Sequence, residues 1–351
     1  MIRDVRKQTG ILEHWNAVAV SKDLQRKPLP VCVDGREIVL FRKRNGEAAA
    51  INDNCVHRRM RLSEGCVVAD KLQCPYHGWT FDCEGNGESP GTPKLHARTT
   101  HYDVREMHGA IWIKDSRSTA AFPRFDIDGY VPMTPFTAVA PVPMELALDN
   151  FTEIEHTATI HAMFGYILDR MDEVTTEVDF TPTTVHVVNR GPHKPMAAPL
   201  RWLTRVTKDS IFTDEWVTYF SPVYAVIDHK WSDRQTGREA GFTMRYYIFL
   251  TPIRENETLI TTLTYAKSPW PGKYGGLKFF RPIIDWIVRR EVALDCNIMS
   301  KLADKRADIR GMKLSRFDRP LGLHRERIER IYRQNETDVE SDAELVRGDG
   351  L

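Results

Sequence analysis

The 351-residue sequence has no run of about 18 uncharged apolar residues. No transmembrane segment is therefore expected. The opening stretch MIRDVRKQTG is charged but has no apolar stretch behind it, so no secretory signal is expected either. Neither sign of charge is in excess: 49 lysines and arginines stand against 48 aspartates and glutamates, interspersed along the chain. That removes the electrostatic footprint of a nucleic-acid binder. Cysteine is scarce, six in the whole chain, which is too few for a disulfide scaffold. In a reducing compartment such cysteines are thiols or metal ligands, and the cytoplasm is the expected location. No G-x-G-x-x-G loop follows a strand-like run, so this chain offers no dinucleotide or flavin site. Internal repeats and low-complexity tracts are absent as well.

What is present divides by texture. Short apolar runs separated by turn signals fill the first part, among them "WNAVAV", "EIVLFR" and "HGAIWIKD", with an Asn45-Gly46 hairpin signal between two of them. This predicts a small all-β domain over 1–120, followed by a linker over 121–140. A second domain is expected over 141–334. It opens on a helical stretch from Met144 to about Ile167. β-branched alternating runs over 174–265, such as "IFTDEWVTYF" and "FTMRYYIFLT", predict a large antiparallel sheet. A long amphipathic helix is expected over 275–304, with Ile283, Ile287, Leu294, Ile298 and Leu302 as its apolar stripe. An acidic, polar tail fills 335–351. The fold class is α+β.

"CVHRRMRLSEGCVVADKLQCPYHGW" carries the first constellation. Cys55, His57, Cys74 and His77 form C-x-H-x16-C-x2-H. A mononuclear zinc site is one reading of mixed thiolate and imidazole donors. The other is a Rieske [2Fe–2S] centre, with two cysteines on one iron and two histidines on the other. The second accounts for the split, because each loop then supplies one ligand to each iron. Pro75 and Gly78 are expected to make tight turns that let backbone N–H groups approach the cluster. Cys66 and Cys83 lie outside these loops and are expected to be buried free thiols.

"DNFTEIEHTATIHAMFG", Asp149 to Gly165, carries the second. Two histidines five residues apart follow several carboxylates. They are either incidental to a helix or two ligands of a 2-His-1-carboxylate Fe(II) site. On a straight helix His156 and His161 point about 140° apart. The run Thr157, Thr159, Ile160 fits a helix that unwinds between them.

"CVHRR … CPYHGWTFDCEGN" resembles the Rieske domain of the non-haem iron oxygenases over roughly residues 10 to 115. The second segment resembles the N-x-x-D-x-x-H-x4-H motif of the same family. The resemblance implies that Asn150 is the motif asparagine, that His156 and His161 are iron ligands, and that Glu153 is the bridging carboxylate where the family usually has aspartate. It implies a third ligand, a carboxylate on a C-terminal helix. Asp295, in a mostly apolar run, is the choice, since a lone carboxylate there is costly unless paired or bound to metal. Glu291 and Asp285 are the alternatives; they and Asp304 stand beside charged residues, as on a solvated helix face.

From the resemblance follow a [2Fe–2S] cluster, a mononuclear Fe(II), and a catalytic domain with a helix-grip (START-like) sheet covered by helices. A head-to-tail homotrimer is implied, with His77 of one chain, Glu153 of its neighbour and His156 in line. So is a separate ferredoxin or flavin reductase that relays electrons from NAD(P)H, for which Arg58, Arg59 and Arg61 could receive an acidic partner. The opening "LEHWNAVAVSKDL" looks like the single-component members that need no small β subunit. The implied activity is that of a monooxygenase or dioxygenase, using O2 to hydroxylate or oxidatively demethylate a small, largely apolar aromatic or sterol-like substrate. The alternative is a Rieske-type electron-transfer protein with a ligand-binding second domain. Phe164, Tyr166, Trp202, Trp216, Tyr219, Tyr224, Trp231, Tyr246 and Tyr247 are the candidate pocket aromatics.

Overall fold

The computed structural model describes residues 10–270 and 276–335. The chain divides into two compact units, Met1–Pro123 with Thr251–Glu255, and Arg124–Leu250 with Asn256–Leu351.

The first unit is built of short strands. Arg36–Arg42 reads REIVLFR and pairs antiparallel with Ala48–Asn52. The reversal between them is the Asn45-Gly46 turn, where Gly46 adopts φ +88° and its N–H reaches the Lys43 carbonyl at 3.0 Å. These two strands belong to a six-stranded sheet. A second, five-stranded sheet runs from Cys66–Val68 to Ala97–Arg98. Val39, Phe41, Ile51, Leu62, Leu72 and Phe81 close the core between them, and Cys55 and Cys74 belong to the same cluster. Phe41 and Phe81 are fully buried. Each such side chain contributes roughly 1.5–3 kcal/mol. The two cysteine loops thus rise directly from packed core.

The second unit centres on an eight-stranded sheet. Its strands are β1 (Val131–Pro132), β2 (Phe136–Ala140), β3 (Thr175–Thr181), β4 (Thr184–Pro192), β5 (Ser210–Phe220), β6 (Val223–Asp233), β7 (Glu239–Arg254) and β8 (Glu257–Lys267). The order is β1-β8-β7-β6-β5-β4-β3, with β2 also pairing β8. Strand β5 alternates strictly between buried and half-buried positions, as period-2 geometry requires of a sheet covered on one face. The helices are α1 (Met144–Phe151), α2 (Glu155–Thr159), α3 (Ala198–Thr204), α4 (Leu277–Ser300) and α5 (Pro320–Arg327).

Three expectations are corrected. Residues 131–140, expected in the linker over 121–140, form β1 and β2, because Phe136 and Val139 extend the β8 edge. The helical stretch from Met144 breaks into α1 and α2, and α2 ends at Thr159. Helix α4 does form, but Ile283 is 52% exposed. The buried stripe is Ile284, Ile287, Val288, Glu291, Val292, Asp295 and Met299. The sequence stripe followed apolar residues alone, and the real one includes two carboxylates. Residues 336–351 of the expected tail lie outside the described residues.

Candidate metal centres and the adjoining cavity

Both cysteine loops close by the same hydrogen bonds. The Cys55 amide reaches the Met60 carbonyl at 2.8 Å and the Arg59 amide returns to the Cys55 carbonyl at 2.8 Å. The Cys74 amide reaches the Trp79 carbonyl at 2.7 Å and the Gly78 amide returns to the Cys74 carbonyl at 3.1 Å. Arg59 and Gly78 occupy the equivalent left-handed position, at φ +59° and +71°. Gly78 thus makes the tight turn expected of it, with its own N–H closing that turn.

The four side chains sort by depth. Cys55 and Cys74 are buried, while His57 and His77 are exposed. The two thiols interact; burial pushes the Cys55 thiol up, against backbone hydrogen bonds from His57 and Arg58 that favour the thiolate. The imidazoles of His57 and His77 approach to 4.6 Å between ring centroids, and His57 stacks on Trp79 at 4.9 Å. Paired sulfurs inside, paired imidazoles outside and amides aimed at a sulfur fit the donor set of a Rieske cluster. Cys66, expected buried, is exposed because it lies on the edge strand Cys66–Val68. Arg58, Arg59 and Arg61 are exposed, and Arg61 pairs with Glu37 at 3.4 Å.

In the second unit the break after α2 brings two histidines together. Thr157 Oγ1 donates to the Ile154 carbonyl and Thr159 Oγ1 to the His156 carbonyl, bonds that compete with a continuing helix. Lys194 Nζ donates to the carbonyls of Thr157 (2.8 Å) and His161, taking two acceptors that a continuing helix would otherwise fill. Gly165 completes the fold-back at φ +104°; a Cβ there would stand 2.5 Å from Thr157 Oγ1.

The result is a triangle of donors. His156 Nε2 and His161 Nε2 are 3.1 Å apart, and Asp295 Oδ1 lies 3.5 Å from the first and 3.1 Å from the second. Ligands about 2.1 Å from a metal and at right angles to one another are separated by about 3 Å, so the triangle fits one face of an octahedral ion. His156 Nδ1 is held by Glu153 Oε1. The other oxygen of Glu153 accepts the amides of Glu155 (2.5 Å) and His156 (3.3 Å), locking the carboxylate to the start of α2. Glu291, one turn before Asp295 on α4, places Oε2 2.6 Å from His161 Nδ1. Burial pulls the His161 imidazole down, but Asp295 and Glu291 outweigh it and push its pKa up to about 9. Asn150, at the end of α1, has a buried side-chain amide with no partner in the protein. The neighbouring Asp149 is clamped by Arg325 of α5 at 2.8 and 2.5 Å.

Asp285 and Asp304 stand elsewhere. Asp285 accepts the Thr134 amide at 2.9 Å, and Asp304 is exposed beside Arg306. Glu291 is buried, not the solvated face its charged neighbours suggested.

A cavity of about 720 Å³, mouth included, opens over the triangle. Of the nine aromatic candidates, Phe164 and Tyr246 line it. Trp202 is 66% exposed, and Tyr219 and Tyr224 stack on each other. Sequence reasoning missed Phe212, Asp214 and His229, which also line it. The signal was there: Phe212, Asp214, Trp216, Thr218 and Phe220 alternate along β5, which puts a carboxylate on the buried face. Burial, then the charges of Glu153 and Asp228, push Asp214 up to about 7, while burial pulls His229 down to about 3.

Residues 14–103 match the Rieske [2Fe-2S] domain. The chain is 31% identical over 155 residues to chlorophyllide a oxygenase, chloroplastic, of Oryza sativa subsp. japonica, covering 42% of this chain and 28% of that protein. It is 33% identical over 222 residues to methylxanthine N1-demethylase NdmA of Pseudomonas putida, covering 54% of this chain and 61% of that protein. The chain thus spans less than two thirds of the length of these curated relatives. The crystal structure of dicamba monooxygenase bound to dicamba has the same fold, with a TM-score of 0.75 at 20% identity, covering 93% of this chain and 98% of that one. The same enzyme solved with non-heme iron and dicamba gives a TM-score of 0.64 at 20% identity. This fold is a Rieske domain followed by a sheet-rich domain with helices.

Proposed function

We propose that this chain, which carries a Rieske [2Fe–2S] domain and shares the fold of dicamba monooxygenase, is the terminal oxygenase of a multicomponent system. It uses O2 to hydroxylate or oxidatively demethylate a small aromatic or polycyclic substrate, with electrons relayed from NAD(P)H by a separate reductase. One observation carries this reading: a single chain holds both the Cys55, His57, Cys74, His77 donor set and the His156, His161, Asp295 triangle beneath a cavity. When bound, the cluster supplies electrons one at a time, and a mononuclear Fe(II) supplies an open face for dioxygen.

The chain's own residues prepare that chemistry. Glu153 accepts the Nδ1 proton of His156, which fixes the tautomer and turns the Nε2 lone pair into the triangle. Glu291 places a carboxylate oxygen 2.6 Å from His161 Nδ1 and acts on that imidazole through its charge. Phe164, Phe212, Ile227 and Val292 wall the cavity with apolar surface and limit water beside the triangle. His57 and His77 are exposed, so the imidazole side of the cluster can face a second copy of the chain. A homotrimer that sets His77 of one copy against Glu153 of the next is the arrangement this supports.

The test is iron stoichiometry together with oxygen uptake. The oxygenase should hold about three irons per chain and consume O2 with NAD(P)H, a reductase and a methoxyarene or N-methyl heterocycle. About two irons per chain and no uptake would leave an electron-transfer protein with a ligand-binding second domain.

A further inference from the structure

The metal chemistry leaves two cavity residues unexplained. Asp214 on β5 and His229 on β6 are direct cross-strand partners, with side chains on the covered face of the sheet. His229 Nε2 stands 3.6 Å from Asp214 Oδ1, too far for a hydrogen bond. Asp214 Oδ1 and His229 Nδ1 are both buried with no partner in the protein, and both residues line the cavity. Asp214 is only 6% exposed. Phe212 and Tyr246 pack their rings against His229 at 5.1 and 4.9 Å, so the polar pair sits in an aromatic surround. A polar group buried this way is costly unless something fills its hydrogen-bonding capacity.

The cavity's charges say what that something is. Glu153, Glu291 and Asp295 line the same space, and no lysine or arginine does among the described residues. A carboxylate ligand would enter beside four carboxylates, of whose charge a bound Fe(II) would offset two units, with no guanidinium or ammonium to receive it. A neutral N–H or O–H group would satisfy Asp214 Oδ1 and leave the His229 imidazole as a second contact.

We propose that Asp214 and His229 are the specificity-determining contacts of the pocket, and that they select a ring substrate bearing a neutral N–H or O–H donor and reject anionic ones. This rests on the cavity being the substrate site of the proposed oxygenase. The expectation of a largely apolar substrate is thereby refined to a ring with one polar edge. A site built to hydrogen-bond such a group discriminates strongly against analogues that lack it.

The test is binding to the iron-loaded protein without oxygen or reductant, read by ligand-observed NMR. The probes are matched methoxyarenes carrying a hydroxyl, a methyl or a carboxylate, and cyclic imides with a free or methylated nitrogen. The hydroxyl and free N–H members should bind at least about tenfold tighter than their methylated and carboxylate counterparts. Asp214→Leu should erase that preference and Asp214→Asn should keep part of it. Should Asp214→Leu lose iron, His229→Phe carries the same expectation. Carboxylates binding as tightly as hydroxyls, no donor-bearing probe binding, or a preference that survives in the Leu or Phe variant would each overturn the proposal. Because binding is read without turnover, a protein that shows the preference but consumes no O2 overturns the oxygenase reading and leaves this one standing.

Discussion

Replacing Glu291 separates a ligand from the residue that holds one. Its Oε2 lies 2.6 Å from His161 Nδ1, on the side of the ring away from the triangle, while Oε1 takes a 3.1 Å contact from Arg290. Glu291→Gln keeps a polar group of the same shape beside Nδ1 but loses the charge that makes the imidazole a stronger donor to metal. Glu291→Ala loses both, and leaves His161 free to turn. Removing such a partner typically costs about 10–100-fold in metal affinity. The Gln variant should fall near the lower end, about 1.4 kcal/mol, and the Ala variant towards about 2.7 kcal/mol. The assay is anaerobic competition for Fe(II) against a chelator of known affinity, with the cluster absorption as an internal control for folding. Asp295→Ala, which removes a corner of the triangle, should lose the mononuclear iron altogether. Unchanged affinity in Glu291→Ala would show that His161 needs no support. Loss as complete as in Asp295→Ala would make Glu291 a ligand itself.

Four other outcomes follow from the same geometry. Cys55→Ser should abolish the visible absorption of the cluster, whereas Cys66→Ser, at an exposed edge strand, should leave the spectrum unchanged. Lys194→Met strips the ammonium from the carbonyls of Thr157 and His161, at roughly 1–3 kcal/mol for each buried acceptor left unpaired. A lower Tm and lost mononuclear iron, with the cluster intact, should be seen. Glu153→Gln should retain both metals but slow cluster oxidation in single-turnover experiments on pre-reduced protein; a wild-type rate would remove Glu153 from the electron path. The metal-free protein should show two opposite pH trends. The His161 pKa is raised from 6.5 to about 9, so its stabilising contribution is full below 6.5 and is lost as pH rises through about 9. Iron must displace that proton, so Fe(II) affinity should climb over the same range; calorimetry in buffers of different ionisation enthalpy would count the proton released.

Much of the site was legible because its chemistry is local in sequence. The C-x-H and C-x2-H spacings each lie within one turn, and the two turns share a hydrogen-bond pattern. A straight helix cannot aim His156 and His161 at one point, so a break is required between them, and α2 does end at Thr159. Residues that act across the sheet were harder to see. Asp214 meets His229 only through strand register, and Lys194 reaches α2 from beyond the end of β4. Glu291 was misjudged for a different reason. Arginines at 289 and 290 made it look solvated, yet the i, i+4 spacing to Asp295 puts both carboxylates on one helix face.

The donors of the triangle come from helical segments: His156 in α2, His161 just beyond it and Asp295 in α4. Strands supply another part of the cavity lining, Phe212 and Asp214 on β5, Ile227 and His229 on β6 and Tyr246 on β7. An exchange at one of these strand positions alters one tooth of a rigid comb and leaves the backbone that carries the donor triangle untouched. A lineage with this layout can vary its cavity lining one strand residue at a time while the helical donors stay where they are.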